Sequence, residues 1–474
     1  MSHPRIIQGG MGAGISDWRL ANAVAMAGQL GVVSGTALDS ILARRLQAGD
    51  LEGHMRRALA HFPVPEVAQR ILDRYYIPGG KADTTAFLPL PMYTATPDQH
   101  LLELTVAGNF AEVWLAKEGH TGVVGVNYLE KIQLPLLPCL YGAMLAGVDY
   151  VLVGAGIPRE IPGVIDALTE HQEVTLKLHV EGAPSDAEFR TRFAPREVFA
   201  GELPRLRRPH FLAIIASVTL AQALAKKATG QVDGFVIEGP TAGGHNAPPR
   251  GQLQLNERGE PVYGPRDEVD LEKIKALGLP FWLAGGYADP QRLQQALEAG
   301  GAGVQVGTAF ALCRESGLEE SLKHTLLGQV QRGEIEIFTD PLASPTGFPF
   351  KVARLADTLS EDAAYAVRPR VCNLGYLRTT YLTPEGELGY RCAGEPIAAF
   401  MQKGGTAEEA EGRKCLCNGL LANIGLPQQR PSGYREQPLV TMGEGIEAVR
   451  HLIGGERNSY AAAEVIGFLL PRGG

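Results

Sequence analysis

The stretch FWLAGGYADPQRLQQALEAGGAGVQVGT, residues 281–308, decides the fold. An apolar run at 281–286 reads as a strand, Pro290–Ala299 as an amphipathic helix, and the run at 302–308 as a second strand. Both strands lead into glycine-rich turns. Strands that are almost continuously apolar and joined through a helix pair in parallel, in a sheet covered by helices.

The same unit recurs upstream. Strand candidates are RIIQ (5–8), GVVSG (31–35), GVVGVN (122–127), DYVLVG (149–154), VTLKLHV (174–180), FLAIIAS (211–217) and GFVIEG (234–239). SDWRLANAVAMAGQLG reads as a helix capped by Ser16 or Asp17, with Leu20, Val24 and Ala27 on one face. Further helical patterns fall at Leu220–Ala228 and Leu271–Leu277. An eight-fold βα repeat closes into a (β/α)8 TIM barrel. The candidates number nine, and 174–180 is the extra one, because no clear helix follows it before Arg205.

The expected organisation is therefore a barrel over residues 1–320, interrupted by a helical insertion at about 53–120 and a hairpin insertion at 170–208. After about residue 320 the βα rhythm stops. Residues 321–474 read as a C-terminal α-rich subdomain containing a cysteine cluster.

Composition narrows the function classes. The chain has 474 residues, a formal charge of −8, 45% hydrophobic and 20% charged residues, which describes a globular protein with a full core. Mild acidity without a Lys/Arg cluster argues against nucleic acid or an anionic membrane as partner. MSHPRIIQGGMG lacks the apolar region of a secretory signal, and Leu20–Leu38 is too polar and glycine-rich to span a bilayer. A cytoplasmic location is expected.

Chemistry in a parallel barrel sits at the C-terminal ends of the strands. Four strand ends carry permissive junctions: QGGMG, EGPTAGGH, LAGGYADP and QVGT. Any one glycine pair is accounted for by a tight βα corner. Four of them, two at the last two strands, point to a phosphate-bearing cofactor cradled by main-chain N–H groups, with the Thr308 hydroxyl as an added donor. GGMGAG does not follow the dinucleotide G-x-G-x-x-G pattern.

His245 ends EGPTAGGH and, of the eleven histidines, alone occupies a glycine-rich strand-end loop. An ordinary imidazole pKa near 6.5 suits proton transfer there, and Pro248 and Pro249 stiffen the loop just after it. A histidine that merely caps a turn is the plain alternative.

Taken together, IIQGGMG, GVN, EGPTAGGH, LAGGYAD and QVGTAF resemble the nitronate monooxygenase (2-nitropropane dioxygenase) family over roughly residues 5–320. FMN-dependent enoyl-thioester reductases belong to the same superfamily. The resemblance implies an FMN-binding TIM barrel. Gly10 and Met11 would lie beside the isoalloxazine, Asn127 would hydrogen-bond the flavin or ribityl region, and Gly243 and Gly244 would line the flavin. Gly285, Gly286, Gln305, Gly307 and Thr308 would hold the phosphate, and His245 would be the catalytic acid or base. The family commonly has Gln at the position of Glu238 and Glu at that of Thr241; a carboxylate at 238 donates a hydrogen bond only when protonated.

The implied activity is oxidation of alkyl nitronates with O2 to a carbonyl compound and nitrite. Alternatives are an NAD(P)H-dependent enoyl-thioester reductase and an FMN-binding accessory subunit of a synthase complex. A homodimer remains open. Cys372, Cys392, Cys415 and Cys417 give C-x19-C-x22-C-x-C, which matches no standard metal ribbon. Buried reduced thiols are the commoner explanation, and no metal is assigned.

Overall fold

The computed structural model describes residues 3–454 and 457–470. Eight parallel strands form its centre: β1 (Ile6–Gln8), β2 (Gly31–Ser34), β3 (Val124–Leu129), β4 (Tyr150–Gly154), β5 (His210–Ile215), β6 (Gly234–Glu238), β7 (Phe281–Ala284) and β8 (Gly303–Val306). Each strand pairs with its neighbour in chain order, and β1 pairs with β8. The remaining seam closes through a parallel bridge between Ile7 and Leu30. There the Gln8 N–H donates to the Leu30 carbonyl over 2.9 Å, and the Leu30 N–H to that of Ile6 over 3.1 Å. The sheet is a closed barrel.

Alternation along each strand explains why these runs are apolar throughout. Ile7, Val32, Leu152, Leu212, Val236 and Trp282 point inward and form a separate buried cluster that fills the barrel. Their neighbours Ile6, Val33, Val151, Phe211, Phe235 and Phe281 point outward into the helical layer. With both faces dry over most of their length, the strands favour apolar residues, and polar ones such as Asn127, Glu238 and Gln305 line the cavity. Trp282 is fully buried, and its indole N–H donates to the Pro4 carbonyl over 2.8 Å.

Helices follow the capping signals in the sequence. Asp17 caps the helix Trp18–Met26, Ser217 caps Val218–Lys227 and Asp289 caps Pro290–Glu298. Leu20 and Val24 are buried, but Ala27, expected on the same face, is the exposed C-cap. The ninth strand candidate, Val174–Lys177, pairs antiparallel with Arg190–Phe193 in its own two-stranded sheet. Between β2 and β3 run the helices Leu38–Gln47, His54–Leu59, Pro65–Tyr75 and Gln99–Lys117.

Beyond the barrel, helix Glu320–Arg332 leads into β9 (Glu336–Asp340) and β10 (Phe350–Arg354), which pair antiparallel. Phe350 and Lys351 pair in turn with His245 and Gly244. Leu326, Val352, Leu416, Leu439 and Val449 belong to the same contiguous apolar cluster as the outer face of the barrel. No described helix is long and apolar enough to cross a membrane.

Candidate active site

One cavity opens at the C-terminal ends of the barrel strands, and residues at the ends of all eight strands line it. Gly10, Met11, Asn127, Glu238, Gly243, Gly244, His245, Gly285, Gly286, Gln305, Gly307 and Thr308 all reach this cavity. The twelve positions singled out in the sequence thus converge.

Local chemistry shapes each wall. After β1, the buried Ser16 hydroxyl donates to the Gly9 carbonyl over 2.9 Å and accepts from the Met11 N–H over 3.0 Å. That bond pair folds Gly9–Met11 over the strand end. A Cβ at Gly10 would lie 2.5 Å from the Asn127 Cβ, so a side chain there would displace Asn127. After β7, Gly285 and Gly286 have φ of +93° and +71°, the left-handed region that glycine adopts without cost. Ala37 and Ala155 also line the cavity at positive φ, a strain that the surrounding structure holds in place.

His245 is fixed from outside the barrel. Its backbone pairs with Phe350, the Phe350 ring meets the imidazole edge-on with centroids 4.7 Å apart, and Nε2 lies 2.8 Å from Ser344 Oγ. The Asn246 N–H donates to the Pro349 carbonyl over 2.9 Å, and its side-chain amide to that of Ala242 over 3.0 Å. The loop is therefore held by strand pairing and Asn246, beyond any stiffening from Pro248 and Pro249. Burial, aided by the nearby Lys131 charge, pushes the imidazole well below its ordinary pKa. The ring is neutral at pH 7, which corrects the expectation of an unperturbed histidine.

A second cavity adjoins the first and shares Ala155, Ile214, Glu238 and His245 with it. It encloses about 340 Å³ between apolar residues that include Ile215, Leu220 and Phe348. Glu238 and His245 stand where the two meet.

Residues 203–339 match the sequence profile of the nitronate monooxygenase family. A nitronate monooxygenase of Pseudomonas aeruginosa is 31% identical over 153 residues, 32% of this chain and 40% of that protein. Over these residues the chain is similar to the nitronate monooxygenase family. A second relative, (3aS,4S,5R,7aS)-5-hydroxy-7a-methyl-1-oxo-octahydro-1H-indene-4-carboxyl-CoA dehydrogenase of Rhodococcus jostii, is 30% identical over 118 residues, covering 25% of this chain and 29% of that protein. The matches span less than half the length of these curated relatives. Among solved structures, FabK from Thermotoga maritima superposes with a TM-score of 0.49 at 16% identity, over 99% of this chain and 92% of that one.

Two positions depart from the nitronate monooxygenase pattern. Burial pushes the Glu238 carboxyl up to about 7, with Lys131 opposing. Near neutral pH a large share of it is protonated and able to donate a hydrogen bond, as a Gln would be. Thr241 lies beside the turn after β7, where a Cβ at Gly285 would come 2.9 Å from its Oγ1.

The Glu238 shift has a measurable consequence. Below pH 4.5, a free glutamate and Glu238 both hold a proton, so Glu238→Gln and the parent differ by a constant amount. Between 4.5 and about 7 the unfolded carboxyl ionises and the folded one does not, so the parent alone loses stability as pH rises. Denaturant melts should show the variant gaining roughly 1–3 kcal/mol on the parent across that window and levelling off above it. A pH-independent difference would mean that Glu238 ionises normally.

Thr308 is engaged by the tail. Its hydroxyl donates to the Gly443 carbonyl over 3.3 Å and accepts the Gly443 N–H over 3.1 Å. A hydroxyl has one proton, and in this structure Thr308 turns it towards the tail.

The tail is what the sequence reading missed. Tyr376, Leu377, Cys417, Leu420, Thr441–Gly443 and Gly445 complete the cavity wall. Gly243 and Gly443 lie face to face: a Cβ on Gly243 would sit 2.7 Å from the Gly443 nitrogen, and one on Gly443 2.8 Å from that of Gly243. No spacing within the barrel motifs announces this contact.

Among the described residues, no three His, Cys, Asp or Glu side chains converge as a metal ion needs. All six cysteines are free thiols. Cys392 accepts the Gly394 N–H over 3.4 Å, and Cys415 accepts from the Asn418 amide over 3.3 Å.

Proposed function

We propose that the protein is an FMN-dependent oxidoreductase of nitronate monooxygenase type, oxidising alkyl nitronates with O2 to a carbonyl compound and nitrite, with His245 moving the substrate proton. The observation that carries this reading is the convergence of twelve motif residues, His245 among them, on one cavity at the C-terminal mouth of a closed barrel.

The residues present fit FMN. Gln305 Oε1 is buried without a hydrogen-bond partner on the cavity wall and is free to accept one from a ligand. Cβ atoms built on Gly244 and Gly445 would meet nothing within 4 Å, so bare backbone at both positions leaves space for a ligand. Gly285, Gly286, Gln305 and Gly307 would hold the phosphate end, Gly10, Met11 and Asn127 the ring system. When bound, FMN supplies the redox chemistry that no side chain here provides. His245 holds or moves a proton at its free ring nitrogen, Glu238 donates a hydrogen bond as the acid, and the 441–445 segment keeps water from the phosphate end.

A second reading, an NAD(P)H-dependent enoyl-thioester reductase, is supported by the apolar chamber of about 340 Å³ beyond His245, which has room for an extended chain. The Rhodococcus relative, named for a carboxyl-CoA compound, supports it too.

A visible spectrum of the purified protein, taken before and after FMN addition, tests the shared core. Flavin absorption that survives desalting is expected; a colourless protein unable to take up FMN would overturn both readings. Turnover of propionate 3-nitronate with O2 consumption and no nicotinamide requirement is expected from the first. Strict NAD(P)H dependence with an enoyl thioester, and none with the nitronate, would replace it with the second.

A further inference from the structure

A line of side chains reaches His245 from the protein side. Its Nε2 lies 2.8 Å from Ser344 Oγ, Ser344 Oγ lies 2.8 Å from Thr346 Oγ1, and Lys131 Nζ donates to Thr346 Oγ1 over 3.3 Å. Ser344 is fully buried, and the Lys131 ammonium stands 4.0 Å from the centre of the Phe348 ring.

A charged ammonium donates and never accepts, so it fixes the outer end of the line. Thr346 accepts from Lys131, and in the arrangement that carries a proton inward its own hydroxyl proton goes to Ser344. The Thr346 backbone N–H also donates to Ser344 Oγ over 3.3 Å, leaving the Ser344 proton for Nε2. In that arrangement the ring proton resides on Nδ1. That nitrogen has no hydrogen-bond partner among the described residues, and the ring borders both cavities.

We propose that Lys131 is the proton reservoir for His245, acting through Thr346 and Ser344 as a positioning and relay line. The inference rests on the reading of His245 as the acid or base. When Nδ1–H passes to a basic substrate atom, the Ser344 proton moves to Nε2, the Thr346 proton to Ser344, and an ammonium proton to Thr346. At His245, Ser344 and Thr346 one bond to hydrogen breaks and one forms. The substrate gains a proton, and Lys131 ends as a neutral amine that recovers its proton from water. Run in reverse, the line carries a proton taken up at Nδ1 out to a neutral Lys131.

The line resolves a difficulty in the site. A neutral imidazole that lost its Nδ1 proton alone would be left as an imidazolate; simultaneous arrival of a proton at Nε2 avoids that. Burial also brings the Lys131 ammonium down to about 7, against the pull of Glu238 and Glu130, so it exchanges its proton readily near neutrality. The other charges nearby are already engaged. Lys351, on the strand beside Gly244, pairs with Glu444, and Arg413 donates to the Ser344 carbonyl over 2.9 Å.

Lys131→Met, Thr346→Val and Lys131→Arg test the proposal by two routes. Ring nitrogen-15 NMR, which needs neither cofactor nor turnover, should find His245 protonated at Nδ1 in the parent and a mixture of tautomers in Thr346→Val. In Lys131→Met the loss of the cation should raise the imidazole pKa. In steady-state assays, kcat for the acid-donating reaction should fall as pH rises through about 7 in the parent. Lys131→Met should lose that limb, with kcat down at least about tenfold and KM little changed. Lys131→Arg should keep the Nδ1–H tautomer without recovering kcat, since a guanidinium does not release its proton.

An unaltered tautomer in Thr346→Val, together with an unaltered pH profile in Lys131→Met, would overturn the proposal. Full kcat in Lys131→Arg would overturn the proton-transfer step. If the parent turned over neither substrate, the proposed function would fail, and the NMR measurements alone would decide the relay.

Discussion

His245→Ala retains FMN and loses about 10²- to 10⁴-fold in kcat, the contribution typical of a positioned acid or base. The ring stands at the junction of the two cavities, while the cofactor contacts assigned to the first come mainly from other loops. Removing the imidazole therefore deletes the proton carrier and leaves the cradle. Flavin absorbance after desalting measures retention, and steady-state turnover measures the loss. Undiminished turnover would take His245 out of the mechanism. Loss of flavin from the variant would make the residue part of the binding wall instead.

Gly243→Val acts on the opposite property. Its Cβ would meet backbone, not a flexible side chain: the Gly443 nitrogen at 2.7 Å and the Met442 carbonyl carbon at 2.8 Å. Gly243 itself is not at positive φ, so the conflict is with the tail rather than with local backbone strain. The 441–445 segment must move away, breaking the paired Thr308–Gly443 hydrogen bonds and opening the phosphate end to water. FMN affinity should fall on the order of 10²-fold, equivalent to roughly 2.7 kcal/mol. Fluorescence titration with FMN measures this, and circular dichroism confirms that the barrel persists. Unchanged affinity in a folded variant would show that the tail contact does not help to hold the cofactor.

The barrel was legible because its signal is local. Runs such as FWLA and FVI are apolar on both faces, the pattern of a strand buried on both sides, and the capping residue Asp17 marks where the first helix starts. Val174–Lys177 could be set aside for an equally local reason, the lack of a following helix. The glycine junctions were legible too, since positive φ at Gly285 and Gly286 restricts which residues fit.

What lay beyond reach depends on contacts across the chain. His245 meets Ser344 across 99 positions, and Lys131 meets Thr346 across 215. No periodicity encodes such pairs. The same distance hid the lowered pKa of His245, which comes from burial and Lys131 rather than from its neighbours in sequence. The Thr308 hydroxyl looked available for a ligand because Gly443, its actual partner, is 135 positions away.

That last separation bears on how the molecule is assembled. The eighth stave is complete at Val306, yet the rim of the bowl is not closed until residues 441–445 arrive. A nascent chain with a finished barrel would still have a leaking pocket, so capture of the proposed cofactor would await the synthesis of residues 441–445. A guest that prefers the closed bowl pulls the tail into place by mass action, and apoprotein should shed that segment to proteases sooner than holoprotein.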